Sequence, residues 1–163
     1  MKIGITSDHR GFPLKEELIK YLRKNNFEVV DFGTNSTEMV DYPKLAFTLG
    51  EAVVNKQVDF GIVTCGTGIG ISIACNKVRG VRCAKVDNVK EAELTRKDND
   101  ANVLALNGSM PLYRAKDIVD VFFKTEFTGV ERYINRINQI IEYENNCNVS
   151  LRDVKEQKSK YEQ

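Results

Sequence analysis

At 163 residues, with 24 basic and 23 acidic side chains interleaved to a formal net charge of +1, the chain is sized for one domain with a substantial core and carries no electrostatic footprint for a nucleic-acid partner. No apolar run nears the length of a membrane span, and the first residues run straight into a strand pattern, so no membrane partner and a cytoplasmic protein are expected. The four cysteines, Cys65, Cys75, Cys83 and Cys147, lack zinc-type spacing and three fall in core-like segments, which leads to an expectation of reduced thiols and no metal site.

Residues 2–6 read as a first strand, and Ser7-Asp8-His9-Arg10-Gly11 is the turn at its carboxyl end. Pro13 then opens a helix to about Asn25, with Leu14, Leu18, Ile19 and Leu22 on one face. Residues 27–32 form a second strand pattern and 33–41 a polar loop. A helix is predicted over 42–56, burying Leu45, Ala46, Leu49 and Val53. Residues 60–64 are a short apolar run with β-branched side chains, the signature of a buried parallel strand. Further strands are predicted over 81–86 and 103–106, with helices over 89–97, 112–123 and 131–143. The last of these sets Ile134, Ile137 and Ile141 on a different face from Arg132 and Arg136. The domain is expected to span 1–145, and residues 146–163, polar and charged, to form a solvated or poorly ordered tail.

Strands alternating with helices at this spacing imply an α/β fold, a Rossmann-like three-layer sandwich around a five-stranded parallel sheet. Ligands in such sheets bind at the carboxyl ends of the strands. The stretch Cys65-Gly66-Thr67-Gly68-Ile69-Gly70 follows the third strand and leads into a helix predicted from Ile71 to Asn76. Its backbone N–H groups are positioned to cradle an oxyanion or phosphate, and to favour a thiolate at Cys65. A lone Gly-x-Gly-x-Gly is weak evidence by itself, and no Gly-Lys-Ser/Thr ending makes it a nucleotide loop. Three other polar clusters stand near strand ends: Asp8-His9, Asp41-Tyr42 and Asp98-Asn99. The last precedes the fifth strand and so belongs to the opposite end of the sheet unless a loop or a partner chain brings it round.

Together these motifs resemble the ribose-5-phosphate isomerase B family, which includes galactose-6-phosphate isomerase subunits. The resemblance runs from Met1 to about Tyr143. It is carried by Ser7-Asp8-His9-Arg10-Gly11 with Leu14-Lys15-Glu16, Asp31-Phe32-Gly33-Thr34, Val40-Asp41-Tyr42-Pro43, the Cys65 to Gly70 loop, Asn76-Lys77 with Gly80-Val81-Arg82, and Asn99-Asp100-Ala101-Asn102-Val103. It implies an aldose–ketose isomerase for a phosphorylated sugar that works through a cis-enediolate with no metal or nucleotide cofactor. By the same resemblance Cys65 is the base, Thr67 with the N–H groups of Gly66, Gly68 and Gly70 holds the oxyanion, and Asp8 assists ring opening. His9, Arg132 and Arg136 hold the phosphate, while Tyr42 and Asn99 bind sugar hydroxyls. The family's site is shared across a dimer interface, so a homodimer or homotetramer is implied.

Three positions depart from the family pattern. Asp98 stands where a histidine credited with ring opening is usual, Tyr133 where a histidine follows the first phosphate arginine, and Asn107-Gly108-Ser109-Met110 lacks an arginine. Ribose 5-phosphate is the first expectation for substrate. A galactose, allose or tetrose phosphate, a heteromeric subunit and a catalytically silent sugar-phosphate binder are the alternatives. A thiol redox role is disfavoured because Cys65 has no Cys-x-x-C partner.

Overall fold

The computed structural model describes residues 1–147. Within them lie the strands β1 (Lys2–Ser7), β2 (Glu28–Asp31), β3 (Phe60–Cys65), β4 (Cys83–Lys85) and β5 (Val103–Asn107). The helices are α1 (Phe12–Lys24), α2 (Tyr42–Val54), α3 (Ile69–Cys75), α4 (Val89–Asn99), α5 (Leu112–Lys124) and α6 (Glu131–Asn146). All strand pairs are parallel, in the order β2-β1-β3-β5-β4. The predicted three-layer α/β sandwich is therefore the observed one.

Both faces of the sheet are covered, so its strands are apolar on both sides rather than alternating. Ile3, Ile5, Ile62, Leu104 and Leu106 face a core built with α1, α4 and α5. Val63, Cys65, Val103 and Ala105 face a second core built with α2 and α3. Close approach of α2 to the sheet needs Gly61, where a Cβ would come within 2.4 Å of the Leu49 side chain.

One ion pair with a buried cation fixes the carboxyl end of the sheet at β1 and β2. Lys15 is fully buried, and its Nζ donates to both oxygens of Asp31 at 2.7 and 2.6 Å. Asp31 Oδ1 also accepts the Gly33 N–H at 2.9 Å. The Gly33 carbonyl in turn accepts from Ser7 N at 2.9 Å and Thr6 Oγ1 at 2.7 Å. The end of β2 is thereby tied to the end of β1, and the residue that follows is Asp8.

Several predicted boundaries move. β4 shrinks to three residues because Val81 N turns back to Val78 O and Arg82 N is held by the Asn102 side chain. Helix α3 begins at Ile69, two residues earlier than expected, and ends after seven residues. Helix α4 runs on to Asn99, where Asp100 ends it in a left-handed conformation at φ 46°. Leu45 is half-buried rather than core. Helix α6 extends to Asn146, and of the three isoleucines assigned to its apolar face only Ile137 is buried. The expected tail, beyond Cys147, lies outside the described residues.

Candidate active site

The order of the sheet reverses at β1, whose successor β2 lies on one side and β3 on the other. Crevices form at such switch points, beyond the carboxyl ends of the strands. The loop after β1 is drawn tight by Asp8, a buried side chain whose Oδ1 accepts the N–H groups of Arg10 at 2.9 Å and Gly11 at 2.8 Å. Asp8 N donates to Thr64 O, and Thr64 Oγ1 donates to Gly11 O at 3.0 Å. These bonds lock the β1 turn to the last residues of β3. His9 is half-buried and its Nδ1 accepts the Val40 N–H at 3.3 Å, so the neutral ring carries its proton on Nε2.

Cys65 is the last residue of β3, not the first of the loop, and is 4% exposed. The Gly108 N–H donates to its carbonyl at 2.8 Å and the Gly68 N–H donates to its Sγ at 3.2 Å. The donor aimed at the sulfur is a single N–H group at the head of a helix of seven residues. Gly68 reaches that geometry at φ 77°, and a Cβ there would meet the Leu106 backbone at 2.8 Å. Thr67 is exposed, with Oγ1 accepting from Ile69 N at 3.2 Å. The Tyr42 ring lies over Gly70, where a Cβ would be 2.7 Å from the phenol oxygen. Asp8, His9, Tyr42, Cys65, Thr67 and glycines 66, 68 and 70 thus belong to one crevice.

Asp98, Asn99, Arg132 and Arg136 are not brought there by the same chain. Asp98 and Asn99 occupy the last turn of α4, which precedes β5 and so ends at the amino side of the sheet. Five residues of β5 separate the two ends, roughly 15 Å at strand rise. Thr128, just before α6, donates through both N and Oγ1 to Lys97 O, which sets the start of α6 beside this turn. Arg132 Nη2 donates to Tyr133 Oη at 2.9 Å, and the guanidinium carbons of Arg132 and Arg136 stand 4.7 and 5.8 Å from the Tyr133 ring centre. The Tyr133 hydroxyl, and less strongly the Asp98 carboxylate, push the Arg132 pKa up.

Two residues that build this corner have no role in the sequence reading, although Arg82 stands in one of its motifs. Arg82 Nε donates to Asn99 O at 2.9 Å, and its Nη2 reaches Asp100 O and Oδ2 at 3.0 and 3.2 Å. Arg96 is buried against Phe60 and Phe122 and donates to Asp100 Oδ1 at 2.8 Å and Ala101 O at 2.6 Å. Asp100 is therefore clamped between two arginines. Arg10 was likewise given no role, although the motif Asp8-His9-Arg10 contains it. Its guanidinium rests on Gly66. A cavity of about 370 Å³ lies between Arg82, Cys83, Asn99 and Ile140, away from Cys65.

Among the described residues no helix is long and apolar enough to cross a membrane. The fold is an α/β sandwich with a polar cluster at the switch point of its parallel sheet. Residues 3–140 match the family model described as Ribose/Galactose Isomerase, and the chain belongs to that family, the sugar-phosphate isomerases. It is 41% identical over 146 residues to a putative sugar phosphate isomerase of Bacillus subtilis, covering 88% of this chain and 97% of that one. It is 41% identical over 148 residues to ribose-5-phosphate isomerase B of Escherichia coli, covering 90% of this chain and 99% of that one. The ribose-5-phosphate isomerase B structure of Clostridium thermocellum superposes at a TM-score of 0.88 with 48% identity over 91% of this chain and 100% of the other.

Proposed function

We propose that the chain interconverts ribose 5-phosphate and ribulose 5-phosphate by moving one proton between C2 and C1. In the aldose-to-ketose direction the Cys65 thiolate takes the C2 proton, leaving a cis-enediolate, and the thiol returns a proton to C1. A proton also passes from the C2 hydroxyl to O1, so atoms balance and no electron acceptor is required. Thr67 and the N–H groups of the glycine loop hold the developing oxyanion. Asp8 assists ring opening, and Tyr42 binds a sugar hydroxyl. The observation that carries this reading is the Gly68 N–H donated to Cys65 Sγ at 3.2 Å beside the buried Asp8 turn, because a base at an enolisable carbon needs its charge supported where water is excluded. A solved structure of the Mycoplasma genitalium ribose-5-phosphate isomerase B holds ribulose 5-phosphate and is 41% identical to this chain at a TM-score of 0.84.

A second copy of the chain completes the site in this proposal. Ile69 and Ile73 on α3, beside the Cys65 loop, are 54% and 57% exposed, while Ile134, Ile140 and Ile141 on α6 are 40%, 49% and 39% exposed. Setting the α6 face of each copy on the α3 face of the other buries both sets of isoleucines in an isologous contact. The same movement carries Arg132 and Arg136 toward the partner's crevice, where with His9 they hold the phosphate, and Asn99 toward a sugar hydroxyl. One observation favours a different substrate: Asp98, in place of a histidine, shares its corner with Arg132, which suits a sugar phosphate that needs little help in opening. The test is turnover of ribose, allose, galactose and erythrose phosphates in deuterated water. Solvent deuterium at C1 of ribulose 5-phosphate is expected. An absence of turnover on every sugar phosphate defeats the isomerase reading.

A further inference from the structure

The main-chain N–H of Arg10 is bonded to Asp8 Oδ1 at 2.9 Å. Its carbonyl oxygen lies so close to Gly108 that a Cβ there would sit 2.9 Å away. Backbone and neighbours therefore fix where the side chain starts. The guanidinium then lies against Gly66: Cζ, Nε and Nη1 are 2.9, 2.9 and 3.0 Å from the point where a Cβ would stand. Any side chain at 66 would displace it, so the glycine makes room for this cation. Arg10 is exposed, and no hydrogen bond, ion pair or ring contact engages its guanidinium among the described residues. An unpaired cation thus rests on the residue next to Cys65.

We propose that Arg10 is a further catalytic residue, whose guanidinium binds the two oxygens of the enediolate as negative charge develops on them. This rests on the isomerase reading above. A cis-enediolate presents O1 and O2 side by side, much as a carboxylate does, and the planar fork of arginine matches such a pair with two parallel N–H donors. The Gly68 N–H is already spent on Cys65 Sγ and the Ile69 N–H on Thr67 Oγ1. With those two N–H groups engaged, the loop has fewer donors left for the oxyanion, and the guanidinium adds to them. Because the contact strengthens as charge moves onto the oxygens, it lowers the barrier rather than tightening ground-state binding.

The experiment compares wild type with Arg10→Gln, Arg10→Lys and Arg10→Ala, using kcat and KM on the turned-over sugar phosphate and inhibition by inorganic phosphate. Arg10→Gln is expected to lose roughly 10²-fold in kcat, with KM and phosphate inhibition unchanged. Arg10→Lys should recover only part, since a point charge cannot bridge two oxygens. Added methylguanidinium should raise the turnover of Arg10→Ala, a response that a purely structural role would not give. Wild-type kcat in Arg10→Gln overturns the inference and leaves the isomerase intact. Weakened phosphate inhibition with unchanged kcat also overturns it, and makes Arg10 a phosphate ligand. A wild-type chain with no turnover removes the isomerase reading and this inference with it.

Discussion

The crevice beyond β1 and β3 and the corner formed by α4 and α6 both gather polar residues, but they are built on opposite plans. In the crevice Thr6, Ser7, Asp8, Thr64 and Cys65 are all buried, and the bonds of Asp8 and Thr64 are spent on neighbouring backbone. Their positions are fixed by the sheet itself. At the corner Arg132 and Arg136 are exposed on a helix that buries one side chain, and their nearest support is a tyrosine ring. Proton transfer tolerates little positional error, whereas a phosphate accepts charge from many directions. The rigid end is suited to the first task and the pliant end to the second.

Cys65 is the sharpest test of the rigid end. Cys65→Ala should lower kcat by about 10²–10⁴-fold while substrate still binds, measured by turnover and by calorimetric titration of ribulose 5-phosphate. Near-normal turnover would remove Cys65 as the base.

Stability should divide along the same line. Asp31→Ala leaves the fully buried Lys15 ammonium with only Glu16, at 3.3 Å, as an ionic partner, and since breaking a fully buried pair costs about 3–5 kcal/mol, a loss toward the lower end of that range is expected. Asp100→Ala removes one acceptor from each of two arginines that keep backbone carbonyls as partners, so about 1–3 kcal/mol is expected. Urea midpoints with unchanged slope read both. Equal losses would mean that the corner is as firmly set as the crevice.

Arg132→Ala should raise KM roughly 10-fold, the loss of one charged hydrogen-bonding partner, with a smaller change in kcat. If crevice and corner meet only between copies, then Cys65→Ala and Arg132→Ala chains refolded together should regain turnover that neither mutant shows at low substrate. Mixing without gain would place both groups in one chain's site, or the arginine outside it.

The crevice was legible in the sequence because each half is a contiguous motif: Asp8-His9 ends one strand pattern, and Cys65 to Gly70 ends another. Parallel topology then brings the two ends together. The clamp on Asp100 was not legible, since Arg82 reaches it across 18 positions and nothing local in an arginine's neighbourhood announces its partner. The contact between Arg10 and Gly66 was hidden for the same reason. On α6 the apolar spacing identified a face correctly. Periodicity does not tell whether that face meets its own sheet or another molecule, and of its three isoleucines only Ile137 is buried. The short β4 escaped because side-chain bonds from Asn76 and Asn102 take over the backbone of Arg82 and Cys83, a substitution for ladder pairing that apolar runs do not encode.

The smallest expected effect concerns Asp98, and it joins the two regions. Asp98 is half-buried in the last turn of α4 and its charge bears on Arg132. A neutral imidazole both gives and takes a proton near pH 7, whereas a carboxylate there is a weak base and almost never an acid. Ring opening of ribose 5-phosphate requires that exchange at the ring oxygen, while ribulose 5-phosphate cannot close a furanose through its phosphorylated C5 oxygen. A chain carrying aspartate should therefore be slower on the cyclic aldose than on substrates already open. Asp98→His should raise turnover of ribose 5-phosphate more than that of erythrose 4-phosphate, which has no stable ring. The expected gain is modest, because the histidine also gives up a negative charge felt at Arg132, on which the proposed phosphate contact depends. KM should rise for both substrates as kcat rises for one. If the ratio of the two turnovers stays the same while both KM values climb, Asp98 acts only by holding Arg132, and the crevice opens the ring with Asp8 alone.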